Sequence, residues 1–168
     1  PVASPGGTIP IPANGYLLVT RSFQTAANAL PVGTALTLNR QTTPADFERF
    51  PNVVAAGPLL LLNGQVVLNA AGEGVSAAFI REQAARSAIA QRADGKIMII
   101  TVHNRKGGRG PSLSEMAQIV QSMGAVKALN LDGGSSTTLY VGGQTLDRPS
   151  RTSARVHGII GIYLNVPF

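Results

Sequence analysis

Residues 127 to 140 read Lys-Ala-Leu-Asn-Leu-Asp-Gly-Gly-Ser-Ser-Thr-Thr-Leu-Tyr, an apolar run that ends in a carboxylate, two glycines and four consecutive hydroxyls. The order suggests a buried strand with Asp132 at its mouth. Gly133 and Gly134 let the backbone turn sharply and bring N–H groups close to a ligand, and Ser135, Ser136, Thr137 and Thr138 add short donors with little bulk. Asp-Gly is also among the strongest hairpin-turn signals. On spacing alone, an exposed turn is the better reading, because short motifs match by chance.

The surroundings of this stretch set the fold class. The chain has 168 residues and is 44% hydrophobic, enough for one domain with a real core. Only 13% of residues are charged, while Gly, Ser, Thr and Pro are plentiful, which favours a turn-rich β structure. Residues 1–15, rich in Pro and Gly, read as an extended lead-in to a domain over 16–168. The chain starts at Pro1 rather than Met, so upstream sequence is expected to have been trimmed or excised.

Short strands are predicted over Tyr16–Thr20 and Thr34–Arg40, the latter half-buried by its period-two alternation. A short helix is predicted over Ser22–Leu30 and a helical turn over Pro44–Phe50. Asn63-Gly64 between apolar runs marks a type I′ hairpin, and the unalternating Leu59–Leu62 run predicts cover on both faces. Ser76–Gln83 reads as helix, and Arg86–Gln91 with Lys96–His103 as strands paired across Asp94-Gly95. The best helix follows Pro111: Ser112 and Glu115 form a capping box, Leu113, Met116, Val120 and Met123 share a stripe, and Gly124 stands at the C-cap. Val141–Gln144 is a turn, Asp147–Ala154 a polar loop and Val156–Val166 a last strand. The sum is about nine strands and two to four helices. This is an α+β fold, with a few helices packed on a mixed, mostly antiparallel sheet in a single domain.

Composition narrows the chemistry. With no cysteine there is no disulfide framework and no thiol catalysis. Two separated histidines, His103 and His157, lack a carboxylate at ligand spacing, so no zinc site is expected. Gly107-Gly-Arg-Gly110 lacks the Lys-Ser/Thr pair of a P-loop, and no Gly-x-Ser-x-Gly elbow occurs. No metal or cofactor is expected. The net charge of +6 has one local cluster, Arg105, Lys106 and Arg109, and stacking aromatics are scarce, which argues against nucleic acid. No apolar run is long enough to span a bilayer.

Among the carboxylates, Glu115 is explained by its cap and Asp94 by its turn, and Asp147 lies undecided in a loop. Glu73, between two glycines, and Asp132 are left as the unexplained acids. Arg86 and Arg155 each precede an apolar strand, where an arginine can grip two phosphate oxygens. Each alone reads better as a solvated surface residue.

Taken together, Gly57-Pro-Leu-Leu-Leu-Leu-Asn-Gly64, Arg86-Ser-Ala-Ile-Ala90, Ser112-Leu-Ser-Glu-Met-Ala117, Ala128-Leu-Asn-Leu-Asp-Gly-Gly-Ser-Ser136 and Arg155-Val156 resemble the phosphodiester glycosidase family. That family includes the animal uncovering enzyme, which removes N-acetylglucosamine from a phosphodiester on mannose. The resemblance covers roughly residues 50–166, and Asn-Leu-Asp-Gly-Gly-Ser-Ser is its most specific part. It implies hydrolysis of a sugar–phosphate bond in a cavity lined by Arg86, Asp132, Gly133, Gly134, Ser135, Ser136 and Arg155. Asp132 would be the catalytic acid residue, with Glu73 a second carboxylate candidate and His103 a further substrate contact. Bacterial members suggest an exopolysaccharide or cell-envelope role outside the cytoplasm. A sugar-phosphate or glycan substrate is the partner expected, and a glycan-binding domain without activity is the alternative.

Two departures accompany the resemblance. The upstream Asn-Gly-Gly-Phe-Phe type motif of the family does not occur, so an upstream fragment of the same precursor is expected to complete the pocket. Ser135 and Ala90 also stand where glycine is common.

Overall fold

The computed structural model describes residues 10–11, 13–17, 30–31, 33–39, 41–43, 45–149, 152–156 and 158–163. The chain divides into two compact units, Pro1–Val53 and Val54–Phe168. In the first unit the one regular element among the described residues is a 3-10 helix, Ala45–Arg49, at the predicted helical turn. The strand predicted over 34–40 is not formed at 34–39. Those residues are exposed and pair with no strand, and Thr34 instead closes a turn by donating its N–H to the Pro31 carbonyl at 3.1 Å. Residues 16 and 17 are likewise exposed and outside any strand, and the Ser22–Leu30 helix falls on residues outside those described, apart from Leu30.

The second unit is α+β. Its strands are β1 (Leu59–Leu62), β2 (Gln65–Val66), β3 (Arg86–Arg92), β4 (Ile97–Val102), β5 (Ala125–Asn130), β6 (Tyr140–Val141) and β7 (Gln144–Thr145). Its helices are α1 (Ala77–Arg81) and α2 (Leu113–Ser122), with a 3-10 turn at Gly134–Ser136. Five strands form one sheet in the order β2-β1-β5-β3-β4, and β6 pairs with β7 apart from it. Every pairing among the described residues is antiparallel.

The turns do what their residues require. Asn63 and Gly64 sit at φ +52° and +78°, the doubly positive pair of a type I′ loop, so Leu62 meets Gln65 and Leu61 meets Val66. The β3–β4 loop is one residue longer than a bare Asp-Gly turn. Arg92 N–H donates to Lys96, and Gly95 at φ +82° takes the left-handed place of a three-residue loop.

The α2 helix starts at the predicted capping box: Glu115 N–H donates to Ser112 Oγ at 3.2 Å, and Ser112 N–H to Glu115 Oε2 at 2.8 Å. Gly124, at φ +83°, ends it and lets β5 begin at once. Leu113, Met116, Ala117 and Val120 are buried, while Met123 is exposed past the helix end. Against Met116, Ala117 and Val120 pack Leu60 and Leu61 of β1, Ala88 and Ala90 of β3, Ile100 of β4, and Ala125 and Ala128 of β5.

The Leu59–Leu62 run is explained differently from the prediction. The β1–β5 register slips between Leu59 and Leu61, and this bulge lets two successive leucines, Leu60 and Leu61, join the same core. Leu62 is 43% exposed. The run lacks alternation because the strand is bulged, not because both of its faces are covered.

The last strand predicted, over 156–166, is absent from its described residues: 156 and 158–163 pair with nothing, and Ile159 and Tyr163 are exposed. Leu61→Ala is expected to cost about 2–5 kcal/mol of unfolding free energy. Leu62→Ala should cost less than about 1 kcal/mol. Urea denaturation of the two variants decides between one buried face and two; equal losses would refute the bulged register.

Candidate functional site

The sheet gathers the predicted residues at one end. Because β1 and β3 both run antiparallel to β5, their N-terminal ends lie beside its C-terminal end, where the Asp132 loop begins. Arg86 pairs with Val102, so the C-terminal end of β4, and His103 after it, reach the same end.

The loop is sewn to β3 beyond the last formal strand pair. Ala88 faces Asn130, and Leu131 N–H then donates to the Ser87 carbonyl at 2.9 Å. That register, continued one step, sets Asp132 opposite Arg86. Gly134 N–H donates to the Ala85 carbonyl at 2.7 Å. Gly133 lies so close beneath that a Cβ there would stand 2.7 Å from the Ala85 oxygen and 3.7 Å from Arg86 Cα. The glycine is therefore demanded by the neighbouring strand itself. Asp132 is exposed, with Oδ1 accepting from Gly133 N–H at 2.9 Å.

Arg86 is not a solvated surface arginine. It is 0% exposed, its Nη2 donates to the Glu82 carbonyl at 2.6 Å and its Nε to the Pro111 carbonyl at 3.4 Å, and the guanidinium lies 4.6 Å over the Phe79 ring. Burial pulls its pKa below the ordinary arginine value, against the opposing pull of Glu82. Arginine nonetheless stays charged in proteins. Among the described residues no carboxylate comes within ion-pair distance of it. An unpaired buried charge is costly, and this one lies directly under the Gly133 backbone.

Glu73 has a structural task that the sequence did not disclose. Both of its oxygens accept from Leu59 N–H, at 3.0 and 3.2 Å, fixing the start of β1. Asn130 holds the adjacent residues: its Nδ2 donates to the Gly57 carbonyl at 2.9 Å and its own N–H to the Pro58 carbonyl at 3.0 Å. Asn130 Oδ1 is buried without a partner. Glu73 and Asp132 thus belong to one strand end, linked through Gly57–Leu59 and Asn130.

Beyond the glycines, Ser135 is exposed and Ser136 half-buried, and Thr137 is buried with its hydroxyl accepting from Ser87 Oγ at 3.2 Å. Ala154 N–H donates to the Ser135 carbonyl at 3.1 Å, which brings the exposed Arg155 alongside.

Asp147, which the sequence left undecided, and Arg148, which sequence reasoning did not single out, close the loop. Asp147 Oδ1 accepts from Leu139 N–H at 2.8 Å while Oδ2 meets His103 Nε2 at 2.7 Å. Arg148 Nη1 donates to the Ser135 and Thr137 carbonyls at 2.8 and 2.9 Å. The signal was present in Gly142-Gly143. At φ +57° and +87° they make a two-residue turn that pairs Tyr140 with Thr145, and Leu146 N–H then reaches the Leu139 carbonyl. Followed one residue further, that turn returns Asp147 to the end of the hydroxyl run.

Burial pushes the Asp147 carboxyl up, but the Leu139 N–H, His103 and the Thr101 hydroxyl outweigh it and hold its pKa below the usual aspartate range. Among the described residues no group of three or more His, Cys, Asp or Glu could hold a metal ion. No helix there is long and apolar enough to cross a membrane. Two open hollows, one against Ile89 and Leu129 and one between Arg105 and Glu115, do not include Asp132. His157 lies outside the described residues.

A phosphodiester glycosidase family model matches residues 2–163. The N-acetylglucosamine-1-phosphodiester alpha-N-acetylglucosaminidase of Mus musculus is 28% identical over 100 residues, covering 54% of this chain and 19% of that enzyme. The Bos taurus enzyme is 33% identical over 72 residues, 43% of this chain and 14% of its own length. The chain therefore spans less than a fifth of these relatives. A hypothetical protein from Synechocystis shares the fold with a TM-score of 0.67 at 54% identity, over 77% of this chain and 25% of that one. The zebrafish enzyme's catalytic domain, auto-inhibited by its pro-peptide, aligns with a TM-score of 0.51 at 25% identity, over 58% of this chain and 34% of that one.

Gly133→Ala is expected to cost about 1–3 kcal/mol, since the methyl meets a backbone oxygen. Gly134→Ala, at φ +61° in open space, should cost about 1 kcal/mol. Thermal melts in the reverse order would refute this packing. The Asp147 contribution to stability is complete above the unfolded aspartate value of about 3.9, and it is lost as pH falls through the lower folded value. Asp147→Asn should therefore flatten the acid side of the stability profile, followed by denaturation midpoint against pH.

Proposed function

The chain belongs to the phosphodiester glycosidase family, and from that premise we propose that it hydrolyses a glycosyl-1-phosphodiester, releasing the sugar. The observation that carries the reading is the buried, charged Arg86 with no carboxylate in ion-pair range among the described residues, lying beneath the Gly133 backbone beside Asp132. An anion held at this strand end would balance that charge. With Nε and Nη2 turned to backbone carbonyls, Arg86 acts mainly through its field rather than by a two-pronged grip. Arg155 and the Ser135 and Ser136 hydroxyls are the groups free to touch phosphate oxygens.

Asp132 is exposed beside that charge. As a carboxylate it stabilises the positive charge that builds at the anomeric carbon while the phosphate departs. A phosphate whose charge is held leaves readily, so little help from a strong acid is needed. On this reading the substrate is a sugar-phosphate or an exopolysaccharide component. The protein then works outside the cytoplasm, in the periplasm, in the envelope or secreted, and an upstream fragment of the same precursor completes the pocket.

One observation favours a second reading, a sugar-phosphate binding domain without turnover. Both oxygens of Glu73 are committed to Leu59 N–H, which leaves Asp132 as the one carboxylate open to solvent among the two candidates. The test uses an N-acetylglucosamine-1-phosphodiester, the compound class in the mouse relative's name. Turnover by the wild-type chain should fall on the order of 10²–10⁴-fold in kcat in Asp132→Asn, with KM little changed. Saturable binding by the wild type with no sugar released, even when the upstream fragment is supplied, would establish the second reading instead.

A further inference from the structure

The resemblance offers His103 as a substrate contact and leaves Asp147 without a role, whereas the structure joins them. His103 Nε2 lies 2.7 Å from Asp147 Oδ2. The Asp147 side chain is 8% exposed and that of His103 26%. The second carboxylate oxygen is fixed by Leu139 N–H, so the carboxylate cannot turn away from the ring. An imidazole whose one nitrogen is held by a buried, anchored carboxylate has a defined tautomer: Nε2 carries the proton and Nδ1 is left to accept or donate.

The position of the pair is fixed by two independent sets of bonds. On one side the β3–β4 register places His103 opposite Ala85, whose carbonyl holds Gly134 N–H. On the other side Asp147 and Arg148 hold Leu139, Ser135 and Thr137 of the same loop. The His103–Asp147 pair therefore ties the end of β4 to the hydroxyl loop, at the strand end that carries Asp132. His103 Nδ1 has no hydrogen-bond partner among the described residues and is not a fully buried orphan.

We infer that His103 is the proton-transfer group of this site, with Nδ1 its working atom and Asp147 the positioning residue that sets its tautomer. The inference rests on the hydrolase reading above. In the step, the water oxygen bonds to the anomeric carbon as the bond from that carbon to the phosphate oxygen breaks. The electron pair of the broken bond leaves on the phosphate, and the water proton passes to His103 Nδ1 and from there to solvent. Asp132 faces the charge at the anomeric carbon. Among the described residues Asp147 meets the imidazole directly, and the other charged groups on the segments that meet at this strand end are Arg148 after β7, Arg86 on β3, Asp132 after β5 and Arg105 on its own loop.

Asp147→Asn supplies a test that a merely structural pair would fail. Leu139 N–H needs an acceptor, so the amide oxygen replaces Oδ1 and the amide NH₂ faces Nε2. The ring must then accept at Nε2 and carry its proton on Nδ1. Histidine ¹⁵N spectra should show this tautomer exchange. In the same variant kcat on the phosphodiester should fall on the order of 10³–10⁴-fold with KM little changed, as such tautomer errors do in other carboxylate–histidine pairs.

His103→Gln should lose the acid limb of the kcat/KM profile, and His103→Ala should regain part of its rate with added imidazole. Circular dichroism of each variant checks that the fold survives. A wild-type rate and pH profile in His103→Gln, or a tautomer exchange in Asp147→Asn without loss of kcat, overturns this inference and leaves the hydrolase reading standing. A wild-type chain that stays inert on the diester with the upstream fragment supplied removes both.

Discussion

The structure depends on antiparallel pairing that does not stop where β3 and β5 formally end. Leu131 N–H bonds to the Ser87 carbonyl and Gly134 N–H to the Ala85 carbonyl, so the loop that leaves β5 is held as though it were still strand. Gly133 permits this, because any Cβ there would meet the Ala85 oxygen. Through this contact the backbone of the exposed Asp132 is set opposite that of the buried Arg86. The fixed position of Asp132 follows from backbone hydrogen bonds and one missing side chain.

Charge then explains why the neighbouring residues are arranged as they are. Arg86 is buried and gives its donors to carbonyls of Glu82 and Pro111, with Phe79 under its face. Those neutral partners solvate a cation without cancelling it, so the strand end keeps a positive field. On the far side of the loop, Arg148 holds two carbonyls and Asp147 holds one N–H and one imidazole. The hydroxyl run is thereby fastened at both ends while Ser135 stays open to solvent.

Local signals in the second unit were legible because they are settled within a few residues. The capping box of α2, the φ-positive Asn63-Gly64 and Gly142-Gly143 turns and the Gly124 stop all formed as read. What alternation suggested over 34–40 did not form at 34–39, and in the apolar run at the chain's end the described residues 156 and 158–163 pair with no strand. A period-two pattern states which face a strand would bury but supplies no partner to pair with. The Leu59–Leu62 run shows the opposite limit: its hydrophobicity was read correctly, while the bulge that turns Leu60 and Leu61 to one core is a property of the pairing with β5.

The roles of single polar residues divide in the same way. The sequence alone marked the Asp132 stretch and its family resemblance, and a family model matching residues 2–163 stands with that mark. It determined the α+β class and most element boundaries of the second unit, since propensity, capping and turn chemistry act over a few neighbours. Only the tertiary structure decided that Glu73 serves the Leu59 N–H, that Arg86 is buried rather than solvated, and that His103 meets Asp147 across 44 residues. Those outcomes rest on distance and burial between segments remote in the chain, and local sequence encodes neither.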